Sequence, residues 1–317
     1  MLKLFASNQT IVLVLIPIFV VVHSVFDYFF PSSFFYDNAI DGLWQIPFHE
    51  FPLIVRKFGA GIMVTLSAFI INTIFNQHEF FEKNTYLPSL LYLILVSFFP
   101  FSVNLAAENF GHLFFILSIQ QLLFIRQNED AKNQVFLASL FLGMASTFLP
   151  MLLSFLPFVW ISLWLIRPFA FREFVLSILG LLVPFLWLVL INQQVLFNEK
   201  IILEELPAST AEKVWNVFLL VFILLTLLTS LLLIRKRMSQ SSVRFKRIMN
   251  VCFIILIYSM FFLTISSFYF NTYGYLSISI PVLCILLPYS YLDLKNKIIP
   301  SILYYGLFVA VIAKFFS

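Results

Sequence analysis

The chain has 317 residues, 62% of them hydrophobic and only 11% charged. A soluble domain carries roughly 45–50% apolar and about 25% charged residues, so this composition excludes one and points to a chain built for a bilayer. The formal charge of +4 does not point to nucleic acid, because the Lys and Arg residues sit at the ends of apolar runs.

In chain order, apolar runs bounded by polar clusters fall at 11–30, 58–75, 86–102, 109–125, 135–166, 174–192, 214–234, 248–268, 276–292 and 298–316. A helix needs about 20 apolar residues to cross the hydrocarbon core, which makes these runs candidate spans. The first has only Lys3 ahead of it and no small-residue cleavage site. It is expected to stay as a helix and not to be removed as a signal peptide. The fifth run is too long for one crossing, since it would rise about 48 Å against a core of about 30 Å. Pro150 and Pro157 remove backbone donors within it and supply a break. The segments on either side, Arg126 to Lys132 and Arg167 to Arg172, each carry two basic residues and are expected to be cytoplasmic. Both can lie on one side of the membrane only if the run crosses twice, turning near Pro150.

The expected fold is therefore all-α, a polytopic transmembrane helix bundle of about eleven spans. It fills residues 1–317 as a single transmembrane domain with a cytoplasmic N-terminus. Charge bias sets that orientation: fourteen of the 19 basic residues fall in the inner segments, six of them in the loop 235–247, and five fall outside. Nine of the fifteen acidic residues lean outward. Cys252 and Cys284 lie in apolar runs without metal-ligand spacing and are expected to be small packing residues. The 42 phenylalanines read as lipid-facing residues, with a pocket for a long apolar ligand as the alternative.

Chemistry has to sit where polar residues interrupt this pattern. The first outer segment, 31–57, interleaves Asp37, Asp41, Gln45, His49 and Glu50 with Leu43, Trp44, Ile46, Phe48 and Phe51, and Pro31, Pro47 and Pro52 break it. That mixture predicts short interfacial pieces, apolar side down. The outer segment 193–213 carries Glu199, Glu204, Glu205 and Glu212. Asp27 stands near the outer end of the first helix and Glu108 at the start of the fourth, with His112 four residues further on the same face. Ionisable groups at such depth usually face a cavity or a partner. Carboxylates in a partly desolvated cleft can act as general bases. Asp27, Asp37, Asp41 and Glu108 are thus the candidate catalytic residues, and His49, Glu50, Arg56, Lys57 and His112 the candidate substrate-binding ones. The plainer alternative is that the carboxylates face water or pair with Arg56 and Lys57. Ser139, Gly143 and Thr147, spaced by four, form a small-residue stripe expected to pack closely against the helix after Pro150. No phosphate-binding glycine loop, zinc helix or nucleophile elbow occurs, and no metal or cofactor is expected.

The stretches NQHEFFEKNTYLPSLLYLILVSFFP (76–100) and FVWISLWLIRPFAFREF (158–174) resemble an uncharacterised family of multi-pass inner-membrane proteins of Bacteroidota. That resemblance implies a bacterial inner (cytoplasmic) membrane location and no known activity. The order of parts also resembles GT-C membrane glycosyltransferases, which take sugars from polyprenyl phosphates at the outer face. It rests on an acidic residue at the end of the first helix, an interfacial outer loop, and FLASLFLGMASTFLPMLLSFLPFVWISLWLIRPF (136–169) followed by a basic turn. By position, the resemblance makes Asp27, Asp37 or Asp41 the first-loop acid and Glu108 the acid of the second outer loop. The family's Asp-Glu pair, the Lys after the first short helix and a large outer C-terminal domain are absent.

The function expected from this is a GT-C-like role in envelope glycan or lipid-linked sugar metabolism, with a polyprenyl-phosphate sugar donor as substrate. The alternative is a non-enzymatic scaffold or anchor subunit of an envelope complex, whose partners are other inner-membrane or envelope subunits. A lipid or solute transporter ranks third, because matching halves with broken helices are not evident. Either way the bilayer is a partner and nucleic acid is not.

Overall fold

The computed structural model describes residues 5–6, 9, 11–29, 42–126, 130–168, 170–191, 210–269, 276–292 and 298–314, and throughout them the chain is helical with no strand. In chain order the helices are α1 (Ile11–Phe29), α2 (Leu53–Gln77), α3 (Leu87–Val96), α4 (Ala107–Phe124), α5 (Lys132–Phe148), α6 (Leu156–Ile166), α7 (Phe171–Ile191), α8 (Thr210–Gln240), α9 (Val243–Tyr269), α10 (Leu276–Leu286), α11 (Pro288–Leu292) and α12 (Ile298–Lys314). Single 3-10 turns sit at Phe48–Glu50, Pro100–Ser102 and Pro150–Phe155.

Among the described residues, five helices are long and apolar enough to cross a membrane: α1, α2, α7, Val217–Gln240 of α8 and Val243–Thr264 of α9. They are only 28–44% buried, which places them at the rim with apolar faces turned outward. Ile11, Val14, Ile18 and Val21 of α1, and Leu186, Trp187 and Leu190 of α7, are exposed in this way. In water such a surface would be untenable, whereas in a bilayer it faces acyl chains. The chain is accordingly a helical membrane protein.

The expected runs at 86–102 and 276–292 differ from simple spans. Every residue of α3 and of α10 is buried, and the two pack against each other at the centre. A helix that is apolar all round belongs inside a bundle. At ten and eleven residues they rise about 15 Å each, half the hydrocarbon thickness. Helix α3 stops there, four residues before Pro100, whereas α10 runs on almost directly into α11, so that the apolar segment extends to Leu292.

The long apolar run turns back on itself. Helix α5 ends at Leu149, which is extended (φ −124°, ψ 92°), and the 3-10 turn Pro150–Phe155 leads into α6. A Cβ on Gly180 of α7 would meet the Phe136 carbonyl and Ser139, and one on Gly143 of α5 would meet Leu181 and Pro184. The register rises together on both helices, so α5 and α7 run parallel. The segment between them must travel the other way. Its contacts agree: Trp160 Nε1 donates to Ser177 Oγ at 2.8 Å, and Arg167 pairs with Glu173 at 3.0 Å. The small-residue stripe does mark a close approach, but its partner is α7 and not the helix after Pro150. Thr147, the last member of the stripe, instead holds the first outer loop.

Two ends of the bundle follow from these directions. At one, Tyr289 Oη donates to the Phe80 carbonyl at 2.6 Å, Arg247 Nη1 donates to the Ile166 carbonyl at 2.9 Å, and Arg237 lies over the Phe81 ring at 4.8 Å. Among the described residues, this basic end gathers 78–86, 124–126, 130–132, 166–168, 170–173 and 235–247. His78, just past α2, is buried here against Phe124 with ring centroids 5.0 Å apart. Burial, and secondarily the Arg244 charge, lower its pKa from 6.5 to about 4. A histidine kept neutral by the fold contributes stability in full above pH 6.5, and that contribution fades as pH falls toward 4. The apparent Tm of the detergent-solubilised protein should therefore drop through that window by the equivalent of about 3 kcal/mol. His78→Phe should flatten the drop, and an unchanged pH profile would contradict this.

A candidate carboxylate site at the other end

Helix α1 buries a stripe of Val12, Ile16, Val20, His23 and Asp27, spaced three or four apart. Asp27 is fully buried (0% exposed), and its Oδ2 accepts a hydrogen bond from Lys57 Nζ on α2. Lys57, whose side chain is 10% exposed, is the partner the charge needs in order to be tolerated at this depth. The other oxygen, Asp27 Oδ1, is buried with no hydrogen-bond partner among the described residues. His23, one turn back on the same stripe, is buried as well. The sequence reading overlooked His23, although its spacing of four from Asp27 inside an apolar run was a signal for it.

Arg56 precedes Lys57 and is half-buried, with its Nε shielded and unpaired among the described residues. The Arg56 carbonyl accepts a hydrogen bond from Leu105 N–H at 3.1 Å, and Leu105 packs directly over Gly59. This contact brings the start of α4 against the start of α2. The start of α4 is fixed by Asn109, whose Oδ1 accepts from Ala106 N–H at 2.9 Å while its Nδ2 donates to the Phe101 carbonyl at 2.7 Å. Glu108 thus sits half-buried in the first turn of α4, where the helix dipole favours a negative charge.

His112 takes a different direction. It is buried, stacks on Phe101 at 4.7 Å, and its Nε2 lies 3.0 Å from Ser277 Oγ on α10. It therefore knits α4 to the buried centre and is not joined to the Asp27–Lys57 pair.

The first outer loop is described from Gly42 onward, so Asp37 and Asp41 lie outside the described residues, as do residues 192–209 of the second outer segment. Gly42 has φ +61°, and a Cβ there would meet the Phe148 carbonyl at 2.7 Å, so both conformation and space require glycine. Leu43 N–H donates to the Thr147 carbonyl at 2.9 Å, and Trp44 Nε1 donates to Thr147 Oγ1 at 3.0 Å. Phe48 is buried against Phe110 at 5.8 Å, and Phe110 against Phe148 at 5.1 Å. With the apolar side seated in this way, His49 and Glu50 are left exposed on the turn.

The structure thus gathers Asp27, Arg56, Lys57 and Glu108 from α1, α2 and α4 at the end opposite the basic one. His49 and Glu50 stand at its outer surface, and His112 is turned inward. Among the described residues no group of three or more His, Cys, Asp or Glu could hold a metal ion. Comparison with protein-family models, with curated proteins and with solved structures finds no match.

Proposed function

We propose that this chain is a GT-C-like protein of a bacterial inner membrane that moves a sugar from a polyprenyl phosphate at the outer face. The observation that supports this reading is the gathering of two carboxylates and two cations from separate helices at the end remote from the basic one. Positive-inside bias puts that end outside. In the reaction, an acceptor hydroxyl attacks the anomeric carbon, the bond from that carbon to the phosphate oxygen breaks, and polyprenyl phosphate leaves. Glu108, half-buried in the first turn of α4, takes the acceptor proton. Arg56 stabilises the charge that develops on the leaving phosphate. Asp27, already bound to Lys57, positions that lysine and is not the base. Asp41 is the other candidate for the base.

The test uses a strain lacking the gene, complemented with wild type, Glu108→Gln or Arg56→Gln. The deletion should accumulate a polyprenyl-phosphate-linked sugar, read by mass spectrometry of lipid extracts. Wild type should clear it, and both variants should leave it accumulated while reaching the membrane at normal levels. Unchanged lipid-linked sugar pools, or full clearance by both variants, would refute the reading.

One observation favours the second reading, a non-enzymatic scaffold subunit. The deepest carboxylate is spent on an internal ion pair, as a purely structural element would be. A stable partner retained in mild detergent, together with full complementation by both variants, would decide for it.

A further inference from the structure

At the basic end, between α1, the last turns of α2 and the approach to α3, lies an open cavity of about 550 Å3. Its lining is Leu13, Phe69, Asn72, Thr73, Asn76, Gln77, Asn84 and Tyr86. The size falls within the roughly 300–1,000 Å3 of small-molecule sites. Four of the lining side chains are carboxamides and none is charged. Carboxamides both donate and accept, which suits hydroxyl groups, whereas a phosphate would call for Arg or Lys.

Two features separate this cavity from a chance dent in the surface. Asn76 builds its wall: its Nδ2 donates to the Thr85 carbonyl at 3.1 Å, and its Oδ1 accepts from Thr85 N–H at 3.1 Å. The Phe5 carbonyl then ties the same wall, accepting from Thr85 Oγ1 at 3.0 Å and Tyr86 N–H at 2.9 Å. Asn84 and Tyr86 are thereby held in place. Asn72, in contrast, is 7% exposed and its Oδ1 has no partner among the described residues. A buried acceptor without a donor is costly unless something else supplies one.

The polarity is also graded. Asn76 and Gln77 close the C-terminal end of α2 and Asn84 lies just beyond it, while Phe69 lies two turns earlier in α2 and Leu13 is 39% exposed on α1. From this we infer that the cavity binds a neutral, hydroxyl-rich headgroup, that of a glycolipid whose acyl chains run past Leu13 and Phe69. The site is separate from the carboxylate end and does not depend on sugar transfer there.

The experiment places the full chain in nanodiscs and compares monoglucosyl-diacylglycerol with phosphatidylglycerol of the same acyl chains, read by native mass spectrometry. The glucolipid should bind preferentially, and Asn72→Leu and the surface variant Asn84→Ala should each weaken it about tenfold, the loss expected for one hydrogen bond. Asn84→Ala keeps the test valid if Asn72→Leu fails to fold. Competition by millimolar methyl glucoside would assign the same recognition to a soluble sugar, and its failure to compete would assign it to the lipid. Equal binding of phosphatidylglycerol, or unchanged glucolipid binding in both variants, would overturn the inference.

Discussion

Lys57→Met should cost the protein about 3–5 kcal/mol, enough to deplete it from membranes or to lower its apparent Tm sharply. The reason lies in what is left behind. Asp27 is fully buried and Lys57 neutralises it. Removing the cation strands a carboxylate where neither water nor another described group reaches it. Asp27→Asn alone should be milder, because it strands a lysine whose long stem can carry its ammonium toward the interface. The neutral pair Asp27→Asn/Lys57→Met should recover most of the loss, since the expense of a buried ion pair lies in breaking it and not in replacing it. Membrane abundance and thermal scanning of all three variants measure this. Wild-type stability in Lys57→Met would show that the pair is not the sole support of Asp27. The same series bears on function: a neutral pair that is stable yet inactive would mean the lysine charge serves the site.

The second large effect is expected at the contact between α5 and α7. A single methyl on Gly143 would stand 2.5 Å from the Leu181 carbonyl oxygen, and one on Gly180 would stand 2.6 Å from that of Phe136. Both obstacles are backbone atoms of helices, which cannot swing aside as a side chain can. Gly143→Ala and Gly180→Ala should each cost at least the upper part of the roughly 1–3 kcal/mol typical of overpacking. Because the two positions share one interface, the double variant should fall short of the sum. Gly61 is the control: its added methyl would meet Val20 Cγ1 at 3.2 Å, a side-chain and not a backbone atom, so Gly61→Ala should cost clearly less than either. Tm values ordered otherwise would mean that α5 and α7 are not in such close contact. Helices in lipid depend on this kind of approach, because their apolar surfaces gain little by leaving acyl chains for one another.

Much of the arrangement could be read residue by residue. The apolar runs place the helices to within a few residues, since backbone groups in a bilayer have no partner but their own helix. Pro150 marks a true reversal because a proline at that point removes a donor and Arg or Lys residues flank the run at both ends. The spacing of Ser139 and Gly143 announced a tight interface yet named the wrong neighbour. Small residues say that some backbone comes close, and nothing local says whose. Asp27 and Lys57 were both visible as unusual charges, but thirty residues separate them in the chain. Their pairing depends on α1 and α2 being neighbours. His112 shows the same limit, for its spacing from Glu108 is right while its hydrogen bond goes to Ser277, far along the chain.

The sequence by itself determined that this is a helical membrane protein with its basic residues concentrated at the ends of its apolar runs, because hydropathy and charge act locally and need no partner to be read. Only the tertiary structure decided that α3 and α10 are a buried centre, that Asp27 is neutralised by Lys57, and that four carboxamides line one cavity. Each of those facts is a contact between residues distant in the chain, set by which helices pack together, and packing is a property of shapes that no single segment carries.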